Sequence, residues 1–274
     1  MYDFETEVVV SELPAPPWVI DSWSNDGRYL ALIMGDGPIP PEISIWDAQL
    51  EQGVAQLGGI GVIWSDQGSR FLYQVHDAET RTDELRMYDL ATGTGHPVTR
   101  GAPGGLDFDW APGARYVVID DGTREALRFR VHDLVEGRDA VILLGVLYVD
   151  WLDDDTLGVV GDACSQHAYY SVDVDGSNLR KLVQFESLAV PHLSPQRDRI
   201  GWSLREEDGR FVTTVMDLAT GETREYETGD AVLPPYRGGE YWSPDGRYLA
   251  LIKPGGRDGI CFSQEPQELE VEVR

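Results

Sequence analysis

The stretch DSWSNDGRYLALI, Asp21 to Ile33, returns near the other end of the chain as EYWSPDGRYLALI, Glu240 to Ile252. Four degenerate copies lie between: WSDQGSRFLYQV from Trp64, WAPGARYVVIDD from Trp110, WLDDDTLGVVGD from Trp151 and LSPQRDRIGWSL from Leu193, where leucine takes the tryptophan position. The starts at 23, 64, 110, 151, 193 and 242 are 41 to 49 residues apart, the length of a propeller blade. A second landmark keeps the same phase. Some two dozen residues after each start an apolar stretch ends in aspartate: ISIWD at Asp47, LRMYD at Asp89, RFRVHD at Asp133, YYSVD at Asp173 and TTVMD at Asp217. The sixth unit has GICFSQ there and lacks the aspartate.

Each unit reads as four short strands. The first ends at the tryptophan. A turn rich in Ser, Pro, Asp and Gly follows, where proline presets φ and glycine accepts positive φ. A β-rich strand such as RYLALI or RFLYQV comes next, then a third strand that ends at the aspartate, then a Gly-containing turn and a fourth strand (HPVTR, AVILLG, RKLVQF, TREYE). No segment has the pattern of an amphipathic helix of three turns. The expected fold is therefore all-β, a six-bladed β-propeller of four-stranded antiparallel blades. One blade cannot bury both its faces, and six in a ring bury each face on a neighbour. The repeated tryptophans are expected to pack between blades, and the strand-end aspartates to accept backbone hydrogen bonds from the following turn.

The residues W-S-P-D-G-R-Y-L-A-L, followed by an apolar strand ending in D-x-x-x-G, resemble the TolB-type, WD40-like propeller repeat, over residues 17 to 274. The resemblance implies a six-membered ring and no particular chemistry, because such repeats serve as scaffolds, partner platforms and enzyme domains alike. The related oligopeptidases carry an additional α/β-hydrolase domain, for which this chain has neither the length nor a G-x-S-x-G elbow. On this reading residues 1–274 form a single domain, with blades starting near 17, 60, 106, 147, 189 and 236. Two segments compete to complete blade 6: residues 6–13 (TEVVVSEL), a candidate ring-closing strand, and the alternating tail ELEVEVR with Leu269, Val271 and Val273, which reads as the blade's own fourth strand. In a ring of six, the two best copies of the repeat become neighbours, so the first and last blades are expected to pack face to face.

Composition narrows the function. The chain has 274 residues, 42% apolar, and a net charge of −26. Only two of its basic residues, Lys181 and Lys253, are lysines. So acidic a chain repels phosphate backbones and anionic membrane surfaces, which excludes nucleic acid as a partner and leaves cations, basic peptides and neutral ligands. The longest apolar run, AVILLGVLYV from Ala140 to Val149, is too short to cross a bilayer as a helix, so no membrane insertion by this chain is expected. MYDFETEVVV has no basic n-region and is not a secretory signal. The compartment stays open: cytoplasmic, or extracytoplasmic by the family resemblance with a leader removed. Cys164 and Cys261 form no CxxC pair, and the sequence does not show whether they meet.

Propeller sites sit at the mouth of the central channel, and the residue before each tryptophan position marks that rim. Around the ring these are Ser22, Ile63, Asp109, Asp150, His192 and Tyr241, with Asp107 and Glu240 beside them. Asp109, Asp150 and His192 come from three consecutive blades and could hold a divalent cation, calcium or magnesium by the oxygen ligands, zinc or manganese by the histidine. They could equally hydrate a channel or cap turns. DVDGSN, Asp173 to Asn178, has the first residues of a calcium loop but lacks its later glutamate and reads as a β-turn. No H-E-x-x-H, P-loop or Rossmann pattern occurs. The leading expectation is a non-catalytic propeller that binds a protein or peptide by one face or its channel mouth, with no resident cofactor. The alternatives are a small-ligand-binding or hydrolytic propeller with a channel metal, and a structural module of a larger surface protein.

Overall fold

Residues of the repeat form hairpins because the turn chemistry and the strand alternation agree. In the computed structural model the described residues are 2–3, 8–9, 18–34, 41–66, 68–100, 107–120, 128–163, 166–187, 189–233, 241–252 and 268–272. Every regular element among them is a β-strand. Two short strands, β1 (Tyr2–Asp3) and β2 (Val8–Val9), pair with each other. Five antiparallel sheets of four strands follow. The first is β3 (Trp18–Trp23), β4 (Tyr29–Met34), β5 (Glu42–Asp47) and β6 (Gln52–Gly58). The second is β7 (Ile60–Trp64), β8 (Arg70–Asp77), β9 (Thr82–Asp89) and β10 (Thr94–Arg100). The third is β11 (Asp107–Trp110), β12 (Tyr116–Asp120), β13 (Arg128–Asp133) and β14 (Arg138–Leu144). The fourth is β15 (Val146–Trp151), β16 (Thr156–Ala163), β17 (Gln166–Asp173) and β18 (Arg180–Gln184). The fifth is β19 (His192–Leu193), β20 (Arg199–Arg205), β21 (Phe211–Asp217) and β22 (Thr223–Gly229).

First strands end at the tryptophan position and third strands at the aspartate in all five sheets. Of the sixth repeat, residues 241–252 and 268–272 are described: β23 (Tyr248–Ile252) is bridged by Trp242 to Leu249 and by Val232 to Ile252, and is paired with β24 (Glu268–Glu272). The tail therefore lies on the second strand of its repeat, the place a third strand takes in the other sheets, and not in the fourth-strand position read from its alternation. Of residues 6–13 only Val8 and Val9 are described, paired with Tyr2 and Asp3. Both cysteines lie outside the described residues.

The chain divides into two compact units, Met1–Leu144 and Gly145–Arg274. Within each, second strands are buried on both faces. Successive residues of a strand point to opposite faces, yet Phe71, Leu72 and Tyr73, and likewise Val117, Val118 and Ile119, are all buried. In the first unit one core joins Ala31, Ile43 and Ile45 to Trp64, Phe71 and Tyr73 of the next sheet, with Tyr29 stacked on Trp64 at 6.1 Å. A second joins Leu72, Leu85 and Met87 to Phe108, Trp110 and Val117. In the second unit Tyr169 and Val160 pack with Ile200, Trp202 and Met216, and Val215 packs with Leu233, Trp242 and Leu249. Each such side chain contributes about 1.5–3 kcal/mol by leaving water. Trp64, Trp110, Trp151 and Trp242 are buried as expected of packing elements, whereas Trp23 is 44% exposed.

The same turn follows five of the six tryptophan positions; after Trp151 the hairpin is one residue shorter, with Leu152 N–H donating to Thr156 O. The residue after the tryptophan position closes the hairpin by donating its N–H across it: Ser24 to Tyr29, Ser65 to Arg70, Ala111 to Tyr116, Ser194 to Arg199 and Ser243 to Tyr248. The residue four places after the tryptophan position has positive φ in each: Gly27, Gly68, Ala114, Arg197 and Gly246. Neighbouring turns also touch. A Cβ on Gly68 would meet the Asp26 carboxylate, and one on Gly246 would meet Gln196, whose amide donates to Pro244 O at 2.8 Å. Asp26 and Gln196 occupy the same place in their repeats, so one contact recurs in both units.

The strand-end aspartates hold the next turn. Asp47 accepts from the N–H groups of Gln49 and Leu50, Asp133 from Val135 and Glu136, Asp89 from Ala91 and Thr92, and Asp217 from Ala219 and Thr220. Asp173 instead accepts from the Asn178 amide, and DVDGSN is a turn, with Gly176 N–H on Asp173 O. Arg28 and Arg115 add ion pairs of 2.8 Å to Asp47 and Asp133. Burial alone would raise these two carboxyls, but the arginines and the turn amides outweigh it and hold both below the usual carboxylate range.

Two outcomes follow. Arg197→Gly relieves a left-handed residue and raises stability by about 0.5 kcal/mol, whereas Gly68→Ala lowers it by about 1–3 kcal/mol, as read by thermal unfolding. Because the Asp47 and Asp133 values are depressed, their contribution is complete above pH about 4 and is lost as pH falls through the depressed values. Melting curves of the Asp47→Asn, Asp133→Asn double variant should therefore show lower stability than wild type at pH 7 and a shallower decline in acid.

Candidate functional site

The first strands place the candidate residues, and consecutive first strands are tied together. In the first unit β3 lies against β7. Ser22 Oγ donates to Val62 O at 3.2 Å, and Val62 N–H donates to Asp21 Oδ2 at 3.2 Å. The Trp110 indole N–H then donates to Ile63 O at 2.9 Å. The second unit repeats that last bond: Trp242 Nε1–H donates to His192 O at 3.0 Å. In both cases the acceptor is the residue immediately before the preceding repeat's tryptophan position. The bond is not made at every repeat, since the buried indole N–H groups of Trp64 and Trp151 have no such acceptor among the described residues.

Side chains at the rim differ between the two units. In the first, Asp21, Asp107 and Asp109 are exposed, and Asp109 Oδ1 also accepts from the Trp110 N–H at 2.9 Å. In the second, Asp150 turns into its blade. Its Oδ1 accepts from the Tyr148 hydroxyl at 2.9 Å, and its Oδ2 is shielded from solvent. His192 is buried, with its ring edge-on to Tyr241 at 4.9 Å between centroids. Glu240 lies outside the described residues. Among the described residues no three His, Cys, Asp or Glu side chains form a group that could hold a metal ion.

One neighbour of Asp150 was not singled out from the sequence. Tyr169, on the third strand β17, is fully buried and its hydroxyl makes no hydrogen bond. Its ring tip lies across the second strand at Gly158, where a Cβ would collide with both the hydroxyl and Cζ. Gly158 pairs with Asp150 on β15. Burial, and after it the nearby Asp150 and Tyr148, push the Tyr169 hydroxyl well above its usual pKa, so it stays protonated. The signal available in the sequence was Gly158 itself, an isolated glycine in a strand, which marks close approach.

No family model matches the sequence, and no curated protein matches it. Among solved structures, the chain is similar to a prolyl endopeptidase (TM-score 0.68, 15% identity, 94% of this chain and 40% of that one). It is similar to the β-propeller domain of the Trilobed protease from Pyrococcus furiosus (TM-score 0.60, 15% identity, 82% and 75%). It is also similar to a putative TolB from Agrobacterium tumefaciens (TM-score 0.50, 17% identity, 84% and 88%). At these identities the likeness concerns the fold, and the chain spans well under half of the endopeptidase.

Gly158→Ala is expected to destabilise by about 1–3 kcal/mol through the clash with Tyr169. Tyr169→Leu removes the colliding atoms, so a double-mutant cycle in urea should show the two losses to be less than additive. The strands, the recurring turn and the neighbouring structures together identify a β-propeller fold, one shared with the solved TolB structure.

Proposed function

We propose that this chain is a non-catalytic, six-bladed propeller that binds a basic peptide or protein segment at the mouth of its channel. The observation that carries the reading is the exposed trio Asp21, Asp107 and Asp109 on first strands of the first unit. The net charge of −26 supports it, because an acidic field draws cationic ligands to the rim and speeds their encounter. Five sheets with the sequence landmarks in one register, and a sixth repeat that carries the same tryptophan and turn, support six blades in one domain spanning residues 1–274.

The test uses an immobilised array of ten-residue peptides graded in net charge. The expected result is retention of basic peptides over neutral and acidic ones. Asp107→Asn with Asp109→Asn, both at exposed positions, should weaken retention about tenfold without lowering the melting temperature. Equal binding by wild type and the double variant, or no preference for positive charge, would overturn the proposal.

A further inference from the structure

The longest apolar run of the chain has a use that neither the core nor the rim explains. Its first half is β14, the last strand of the third sheet, with no strand on its outer side among the described residues. Ile142 is 50% exposed and Leu144 73% exposed, and being two residues apart they share one face of the strand. The other fourth strands carry the devices that blunt an edge. β10 has Pro97, β18 has Arg180 and Lys181, and β22 has Arg224, Glu225 and Glu227; bulges occur in all three and also at Ala140 in β14, whose own charges, Arg138 and Asp139, are confined to its start. β6 offers glutamines and glycines, with Val54 its one large exposed apolar side chain. From Ala140 to Gly145, by contrast, β14 and the residue after it carry no charge and no proline.

We propose that β14 is a docking edge that accepts an extended segment of a partner protein as a fifth strand of this sheet. The strand's outward amides and carbonyls would supply the ladder, and Ile142 and Leu144 would receive alternate apolar side chains. The charge pattern selects the occupant. Exposed Arg138 begins the strand, and exposed Arg128 pairs with its last residue, Leu144. An apolar segment with an acidic residue at the end that meets Arg138 therefore complements this edge, within reach of direct pairing. A second copy of the chain does not. Antiparallel pairing of two β14 strands sets Arg138 of each copy beside Leu144 and Arg128 of the other, and two bodies of charge −26 repel.

The experiment uses the full chain and two capped heptapeptides of alternating valine and threonine, one ending in glutamates and the other in lysines. Binding is read by amide chemical shifts. The glutamate peptide is expected to bind more tightly and to move the amides of residues 140–145. Ile142→Lys with Leu144→Lys, both at exposed sites, should weaken it about tenfold or more. Arg138→Glu should shift the preference towards the lysine peptide. Circular dichroism melts check that the variants stay folded. The proposal is overturned if neither peptide binds, if the double variant binds as well as wild type, or if sedimentation shows a dimer that the same substitutions dissociate.

Discussion

A four-stranded sheet with two apolar faces cannot stand alone in water, and this constraint organises the structure. Phe71, Leu72 and Tyr73 on β8, or Leu157, Val159 and Val160 on β16, leave no face of the sheet free for solvent. Each sheet needs a neighbour, and the neighbour must arrive at a set distance and angle. The indole N–H bonds from Trp110 to Ile63 and from Trp242 to His192 provide part of that setting at the inner end. The turn contacts Asp26 to Gly68 and Gln196 to Gly246 provide more of it in the hairpins that follow those strands. A repeat keeps its spelling where these contacts fall: tryptophan, then serine, then glycine at the left-handed place.

The fold could be read in the sequence because these constraints leave marks at fixed offsets. The aspartates at 47, 89, 133, 173 and 217 all end third strands; in four the carboxylate accepts from the turn amides that follow, and Asp173 accepts from the Asn178 side chain instead. The departures have local causes. Ala114 and Arg197 sit where glycine was expected, yet both adopt positive φ because the hairpin closes regardless of side chain. The tail pairs with β23 because strict alternation specifies a strand and a face, while leaving open which edge it joins.

The site was less legible. Position before the tryptophan gave a place on the first strand, and at Ile63 and His192 that place proves to be a backbone acceptor for an indole, a role the sequence did not suggest. It could not give the direction of each side chain. Register shifts between Ile20 and Ser22 on β3, between Ile60 and Ile63 on β7, and between Val146 and Tyr148 on β15 break the two-residue alternation just before the rim. Asp109 on β11 and His192 on β19 lie on strands paired without such shifts, yet Asp109 is exposed and His192 packs on Tyr241, while Asp150, in the same place before its tryptophan as Asp109, turns towards Tyr148. Tyr169 was invisible for another reason. Its ring tip lies over Gly158 on the second strand, and the isolated glycine marks a close approach without naming the side chain that makes it.

Native-state hydrogen exchange, resolved by peptide, tests the central claim most directly, because burial of both faces makes opening of a second strand equivalent to losing the sheet. The account predicts the slowest exchange in β4, β8, β12, β16 and β20, and markedly faster exchange in the fourth strands β6, β10, β14, β18 and β22. Uniform exchange across all four strands of each sheet, or second strands that exchange as fast as the outer ones, would contradict it.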